Sequence, residues 1–132
     1  MFLQRLNPPG LLSFDAMAQV VSVRGGRTLY IAGQSACDEQ FRVVGNDHYT
    51  QSLQALRNLR SAIEGAGGTL AGLASSTVYL KGLTPAVAGS FLKALADTEG
   101  PFPAHAFSLI GVECLSGTDL LVEITAIAIV ED

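Results

Sequence analysis

Two ionisable side chains stand inside apolar runs in the last third of the sequence. Glu123 interrupts the run LLVEITAIAIV, and His105 follows two prolines in GPFPAHAFSLIGVECL. Burying an unpaired carboxylate is costly, so Glu123 must reach solvent, find a partner or line a cleft. At a cleft wall, a carboxylate can hold a water molecule or exchange a proton with a substrate. The alternative is a solvated glutamate on an open sheet face, and both interpretations stay open.

His105 carries the same ambiguity as the glutamate. A histidine beside apolar residues is more often structural than catalytic, yet two such groups in successive strands together suggest a site. Period-two alternation predicts that Glu123, Thr125 and Ile127 share one face of the last strand. Spacing alone does not show whether His105 and Glu123 lie on the same face.

The surrounding pattern predicts the elements that would position these groups. Strands are expected over 19–26, 27–35, 73–83, 105–115 and 119–132, with a short edge strand at 41–44. A helix capped by Asp47 should follow, and a second helix should start near Pro85 and end before Gly100. The glycine pair at 25–26 and the SGT turn at 116–118 each predict a hairpin. This order predicts a single α+β domain over residues 1–132, one sheet packed against two helices.

Composition narrows the classes of function. The 132 residues carry a net charge of −4 with no basic cluster, which argues against nucleic-acid binding. No apolar run is long enough for a bilayer span, no signal peptide is recognised, and the two cysteines demand no disulfide, so a cytoplasmic protein is expected. Asp38 and Glu39 lack a third ligand, so no metal site is expected. Only 15% of residues are charged, which suggests surface buried between subunits.

Four segments, in order over roughly residues 16–131, resemble the Rid family of YjgF-like reactive-intermediate deaminases, also described as endoribonuclease L-PSP-like. They are LYIAGQS, the helix and strand from YTQSLQALRNLRSAIEGAGG to SSTVYLKGL, FPAHAFSLIGVECL, and LVEITAIAIV. The resemblance implies a chorismate-mutase-like α+β fold and a homotrimer with clefts between subunits. It also implies hydrolysis of enamines or imines to a carbonyl compound and ammonia, without a cofactor or metal.

The same resemblance assigns roles to individual positions. It makes Glu123 the carboxylate that holds the attacking water. His105 stands where the family has an arginine that grips the substrate carboxylate, so the chain is a divergent member. A neutral imidazole cannot offer the guanidinium fork, although it can donate one hydrogen bond. The remaining substrate-binding positions that the resemblance implies are Met17, Ala32, Gly33, Ser90, Ala106 and Phe107.

Two functions therefore stand as hypotheses. The first is a deaminase in which Glu123 positions water and His105 orients a small-molecule substrate that is larger or less acidic than 2-iminopropionate. The alternative is a non-catalytic metabolite-binding or regulatory trimer of the same family, because the arginine position is changed. Ribonuclease activity is a third idea, and the acidic charge argues against it.

Overall fold

The strands and helices predicted from the sequence largely form. A computed structural model describes all of residues 1–132. The strands are β1 (Phe2–Leu6), β2 (Val20–Arg24), β3 (Arg27–Ser35), β4 (Leu73–Lys81), β5 (Ala106–Val112) and β6 (Val122–Val130). The helices are α1 (His48–Gly65) and α2 (Pro85–Asp97), and a 3₁₀ turn (Leu70–Gly72) precedes β4. The 41–44 segment forms no strand and contributes only an isolated bridge between Cys37 and Val43.

A four-stranded mixed sheet in the order β3-β6-β4-β5 forms the centre of the fold. The central pairs β3–β6 and β6–β4 are antiparallel, whereas β4 and β5 are parallel. A parallel pair requires a crossover, which α2 supplies between them. The strands β1 and β2 pair antiparallel with each other in a separate two-stranded sheet.

Both helices pack on one face of the four-stranded sheet. Asp47 caps α1, as predicted, by accepting a hydrogen bond from the backbone N–H of Thr50 at 2.7 Å. Pro85 occupies the first turn of α2, where its missing N–H costs no helical bond. The second helix contributes more to the core than its small residues suggest, because Phe91 is only 2% exposed. The other core residues include Leu59, Ile63, Leu73, Val78, Leu80, Val122, Ile124 and Ala128.

The opposite face of this sheet has no covering layer in the chain. Alternation along β6 is confirmed: Val122, Ile124 and Ala126 are buried under the helices, while Ile127 is exposed on the other face. Tyr30, the cross-strand partner of Ile127, is 82% exposed. An apolar, uncovered sheet face of this kind is typical of a surface that associates with another protein chain.

The structure corrects both predicted hairpins. The strands β5 and β6 follow each other across the SGT turn but do not pair, because β4 lies between them. Gly25 and Gly26 do turn the chain with positive φ angles of 74° and 78°. The strands on either side nevertheless belong to different sheets, since β2 pairs with β1, a strand that was not predicted from the sequence.

Neither helix combines the length with the apolar character that crossing a bilayer requires.

Candidate functional site

Glu123 lies against the backbone of a neighbouring edge strand. It pairs with Ser35 of β3 and with Tyr79 of β4, and its Oε1 accepts a hydrogen bond from Ser35 Oγ at 3.3 Å. A Cβ on Gly33 would lie 2.5 Å from Cδ of Glu123 and 2.6 Å from its Oε2. The carboxylate therefore occupies the space that a side chain at position 33 would need. The absence of a side chain at Gly33 sets the position of the carboxylate.

An irregularity in β3 helps to form this arrangement. The register between β3 and β6 shifts between Ile31 and Gln34, which places a bulge at Ala32 and Gly33. Bulges bend a strand locally and redirect side chains, and they are frequent next to functional sites. Glu123 makes no ion pair, and its Oε2 accepts no hydrogen bond from the protein. One oxygen of a half-buried carboxylate is thus available to an external donor.

An open groove of about 820 Å³ extends from this carboxylate along α1 and the loop after β3. The polar side chains of Ser35, Gln54, Asn58 and Ser61 line it, and Cys37, Phe41 and Val44 are its larger apolar members. Its charged lining residues are Asp38, Glu39 and Glu123, with no lysine, arginine or histidine among them. The groove is accordingly electronegative and holds no counter-charge for an anion.

Two amides on α1 anchor the walls of the groove. Asn58 donates to the carbonyls of Ser35 and Cys37 at 2.8 and 3.0 Å, which ties the end of β3 to the helix. Gln51 is fully buried, donates to the carbonyl of Asp119 and accepts from the N–H of Leu121 at 2.8 Å. It thereby fixes the chain just before β6. Neither residue was predicted from the sequence, where their seven-residue spacing on one helix stripe was the available signal.

The loop over residues 36–44 forms the outer wall of the groove. The side chain of Asp38 accepts hydrogen bonds from the N–H groups of Gln40 and Arg42, both at 2.9 Å, and pairs with the Arg42 guanidinium at 2.7 Å. These bonds, the backbone N–H of Arg42 first, hold the pKa of Asp38 below its usual range. Phe41 in the same turn has a φ of 60°, a conformation that costs a non-glycine residue about 1–2 kcal/mol. Phe41 is 57% exposed despite its size.

His105 is buried by its own chain and fully hydrogen-bonded. It is 3% exposed, its Nδ1 donates to the Pro103 carbonyl at 2.9 Å, and Ser76 Oγ donates to its Nε2 at 2.8 Å. The tautomer follows from these partners, because a carbonyl accepts only from an N–H. Burial lowers the pKa of His105 to about 4, and the charge of Arg5 contributes further in the same direction. The imidazole is therefore neutral at pH 7.

Within one chain, His105 and Glu123 lie on opposite faces of the sheet. His105 bonds to Ser76, whose cross-strand partner Ala126 belongs to the helix-covered core. Glu123 instead pairs with Tyr79, three residues further along β4 and hence on the other face. Assembly with other subunits can only bury His105 further. The expectation that its imidazole orients a substrate beside Glu123 therefore lacks support from this geometry.

The other expected binding positions divide between two regions. Ala32 and Gly33 lie at the bulge beside Glu123. Met17 is joined to His105 by a backbone bridge, and the N–H of the following residue, Ala18, donates to the His105 carbonyl at 3.0 Å. Met17 is thus close to the start of β5 rather than to the bulge.

The remaining expected positions also lie away from the groove that contains Glu123. Phe107 is half-buried and packs against the core beside the His105 ring, with centroids 5.2 Å apart. Ala106 is half-buried at the start of β5. The hydroxyl of Ser90, on α2, donates a hydrogen bond to the Ala86 carbonyl at 3.2 Å. None of Met17, Ser90, Ala106 or Phe107 lines the groove that contains Glu123.

Arg5 is a positioning residue that the sequence pattern did not predict. Its guanidinium donates to three carbonyls, those of Ala71, Leu73 and Ala104, and has no carboxylate partner. It thereby joins β1 to the start of β4 and to the segment that carries His105. Burial lowers the pKa of the Arg5 guanidinium from its ordinary value. The sequence did not predict β1 as a strand, and it therefore gave no reason to assign Arg5 a structural role.

Comparison with known proteins identifies a family model and solved structures that are similar to this chain. The family model described as Endoribonuclease L-PSP matches residues 13–130. No curated protein matches the chain significantly. Among solved structures, YyfB from Yersinia pestis, described as a protein of unknown function of the conserved Rid protein family, is 34% identical. It matches 98% of this chain and 100% of its own, with a TM-score of 0.86.

Two other solved structures extend this comparison. Rv2704 from Mycobacterium tuberculosis, described as a member of the YjgF/YER057c/UK114 family, is 27% identical over 86% of each chain, with a TM-score of 0.65. RidA from the Antarctic bacterium Psychrobacter is 25% identical over 96% of this chain and 99% of its own, also with a TM-score of 0.65.

Proposed function

The chain belongs to the Rid protein family, whose sequence model carries the description Endoribonuclease L-PSP, and on that premise we propose that it hydrolyses a reactive imine or enamine to a carbonyl compound and ammonia. The observation that carries the proposal is the Glu123 carboxylate, held over Gly33 at the wall of a groove with one oxygen free of protein donors. A carboxylate so placed can accept a proton from water as that water attacks a carbon–nitrogen double bond.

The reaction balances with water alone. The water oxygen bonds to the imine carbon while Glu123 takes a proton, and the electron pair of the double bond moves to nitrogen. Glu123 passes that proton to the nitrogen, which gives a carbinolamine. The hydroxyl proton of the carbinolamine then passes through Glu123 to the nitrogen as the carbon–nitrogen bond breaks, so that ammonia leaves and the carbonyl forms. Proximity and a positioned base supply the acceleration, so no cofactor enters this proposal.

The proposed deaminase is a homotrimer in the cytoplasm. The uncovered sheet face with Tyr30, Ile110 and Ile127 supports association, since these side chains are 82%, 42% and 36% exposed in the single chain. A neighbouring subunit on this face would close the open side of the site beside Glu123. Sedimentation equilibrium tests this part: a mass of three chains is expected, and a monomer at micromolar concentration would contradict it.

The role proposed for His105 is positional. Its neutral ring ties the Pro103 segment to β4, which fixes the start of β5 and the backbone groups of Ala106 and Phe107. Met17 and Ser90 remain proposed contacts that only an assembled cleft could bring to a ligand.

An imine panel tests the central proposal. Imines are generated in situ by flavin amine and amino-acid oxidases, and hydrolysis is followed as competition with semicarbazide trapping. Wild type is expected to accelerate hydrolysis of at least one imine, and Glu123→Ala to reduce that rate to the spontaneous one. Equal rates for wild type, Glu123→Ala and buffer across the panel, neutral imines included, would overturn it.

The second candidate function is a non-catalytic metabolite-binding trimer. It is favoured by one observation, the buried neutral His105 at the position where the family resemblance implies a cationic clamp. Thermal-shift screening against metabolites distinguishes the two functions. A ligand that stabilises wild type and is never turned over favours the binding module, whereas Glu123-dependent turnover excludes it.

A further inference from the structure

A phenylalanine occupies a backbone conformation in which glycine is favoured. Phe41 has a φ of 60°, and it ends the turn that Asp38 holds through hydrogen bonds to the N–H groups of Gln40 and Arg42. Phe41 N–H itself donates to the Asp38 carbonyl at 3.0 Å. A glycine here would relieve strain and keep every one of these bonds. The turn therefore gains nothing from the phenylalanine ring.

The core gains nothing from the ring either. Phe41 is 57% exposed and lies outside the buried apolar cluster. Its Cζ comes so close to Gly117 that a Cβ there would be 3.1 Å away, which fixes the ring against the chain that precedes β6. With the neighbouring Val44, it forms an apolar patch in the groove that contains Glu123. An exposed aromatic held at a strained position is a feature expected of a ligand contact.

The charge of the groove limits what that ligand can be. Asp38, Glu39 and Glu123 line it without any basic side chain, and Arg42 offsets only Asp38. Within one chain, a substrate carboxylate in this groove would meet the unpaired Glu39 and Glu123 and no cation, which is unfavourable. A neutral imine or its protonated iminium form meets no such repulsion, and the cation is attracted.

From these contacts we infer that the groove takes an imine derived from an amine rather than from an amino acid, with an aromatic or branched apolar substituent packed on Phe41. This inference rests on the proposed deaminase function and names its substrate class. Phe41 determines specificity for the apolar part, and the acidic lining excludes the carboxylate. The step is the one described above: water adds to the carbon–nitrogen bond, ammonia leaves, and an aldehyde or ketone without a carboxylate is released.

The rates of hydrolysis of three imines distinguish the effect of Phe41 from the effect of the acidic lining. A flavin amine oxidase supplies the imines of 2-phenylethylamine and propylamine, and an amino-acid oxidase supplies the imine of phenylalanine. For wild type, kcat/KM for the phenylethylamine imine should exceed each of the others by about tenfold or more, the range that one pocket contact supplies. In Phe41→Gly the advantage over the propylamine imine should disappear, while the advantage over the phenylalanine imine remains.

The matched control is Phe2→Ala. Phe2 is 58% exposed, as Phe41 is, but lies on β1 outside the groove, so both preferences should persist. Phe41→Gly should also keep the melting temperature and the sedimenting mass of wild type, because the glycine suits the turn. A loss of the assembly in Phe41→Gly would overturn the inference, since the ring would then serve an interface between copies.

The outcomes also separate this inference from the proposed function. If wild type hydrolyses the phenylalanine imine fastest in a Glu123-dependent manner, the inferred substrate class is wrong and the deaminase function stands. If none of the three imines is hydrolysed faster by wild type than by Glu123→Ala, the inferred substrate class is wrong, and the deaminase function is then decided by the wider imine panel.

Discussion

Replacement of Gly33 by alanine tests whether the position of the Glu123 carboxylate matters. The new Cβ would lie 2.5 Å from Cδ of Glu123, whereas ordinary contact begins at 3.4 Å, so the carboxylate must retreat by about 1 Å. Gly33 has no positive φ, so alanine adds no backbone strain. The carboxylate is the mobile end of a side chain, and the fold should therefore accommodate the change with little loss of stability.

The expected cost is catalytic rather than structural. A displacement of about 1 Å at a reacting group can lower a rate by about 10²-fold. The assay is kcat/KM for the imine that wild type hydrolyses best, measured by competition with semicarbazide, alongside the melting temperature. Gly65→Ala at the end of α1 is the matched control, because its Cβ meets nothing within 4 Å. Wild-type kcat/KM in Gly33→Ala would refute the claim that this contact positions the catalytic group.

Two further predictions concern stability. Because the folded-state pKa of His105 is about 4, below the ordinary 6.5, the unfolded chain binds the extra proton between these pH values. The contribution of neutral His105 to the free energy of unfolding, up to about 3 kcal/mol, is fully present above pH 6.5 and is lost as the pH falls towards 4. Urea unfolding midpoints should therefore drop over that window more in wild type than in His105→Gln. An equal pH dependence of the two proteins would contradict this. Arg5→Met should lower the free energy of unfolding by about 2–4 kcal/mol, since three carbonyls lose a charged donor, while Arg24→Met, without hydrogen bonds to lose, should change it by less than about 0.5 kcal/mol.

Local signals in the sequence predicted most of the elements. The Asp47 cap, the proline at the start of α2 and the alternation along β6 each depend on neighbouring residues alone, and each was confirmed. The pairing of strands depends on distant residues. The short SGT turn favoured a β5–β6 hairpin, but the crossover through α2 places β5 beside β4 instead.

Strand β1 was not predicted, because its formation also depends on pairing with a distant strand. Its five residues run directly into Asn7, Pro8 and Pro9, and its only strand partner is β2, so no sheet periodicity supports it. The structural role of Arg5, which lies on that strand, was therefore not predicted either. The energetic reason for an arginine there becomes visible only when the carbonyls of residues 71, 73 and 104 converge on it.

For the candidate site, the sequence indicated single side chains but not the backbone geometry that surrounds them. Glu123 could be singled out because a lone carboxylate in an apolar strand needs a reason. His105 raised the same question, and in the structure Pro103 and Ser76 complete the hydrogen bonding of its buried ring. The groove itself depends on the bulge at Gly33 and on the strained turn at Phe41, and neither feature has a signature in the sequence.

Ammonia release from the imine of 2-phenylethylamine, compared between wild type and Glu123→Gln, tests whether the Glu123 carboxylate is the catalytic base. Glutamine keeps the size of the side chain and its contact with Gly33 but cannot take a proton from water. Wild type should accelerate release, whereas Glu123→Gln, with an unchanged melting temperature and sedimenting mass, should release ammonia at the rate of buffer. Acceleration by Glu123→Gln equal to that of wild type would contradict it.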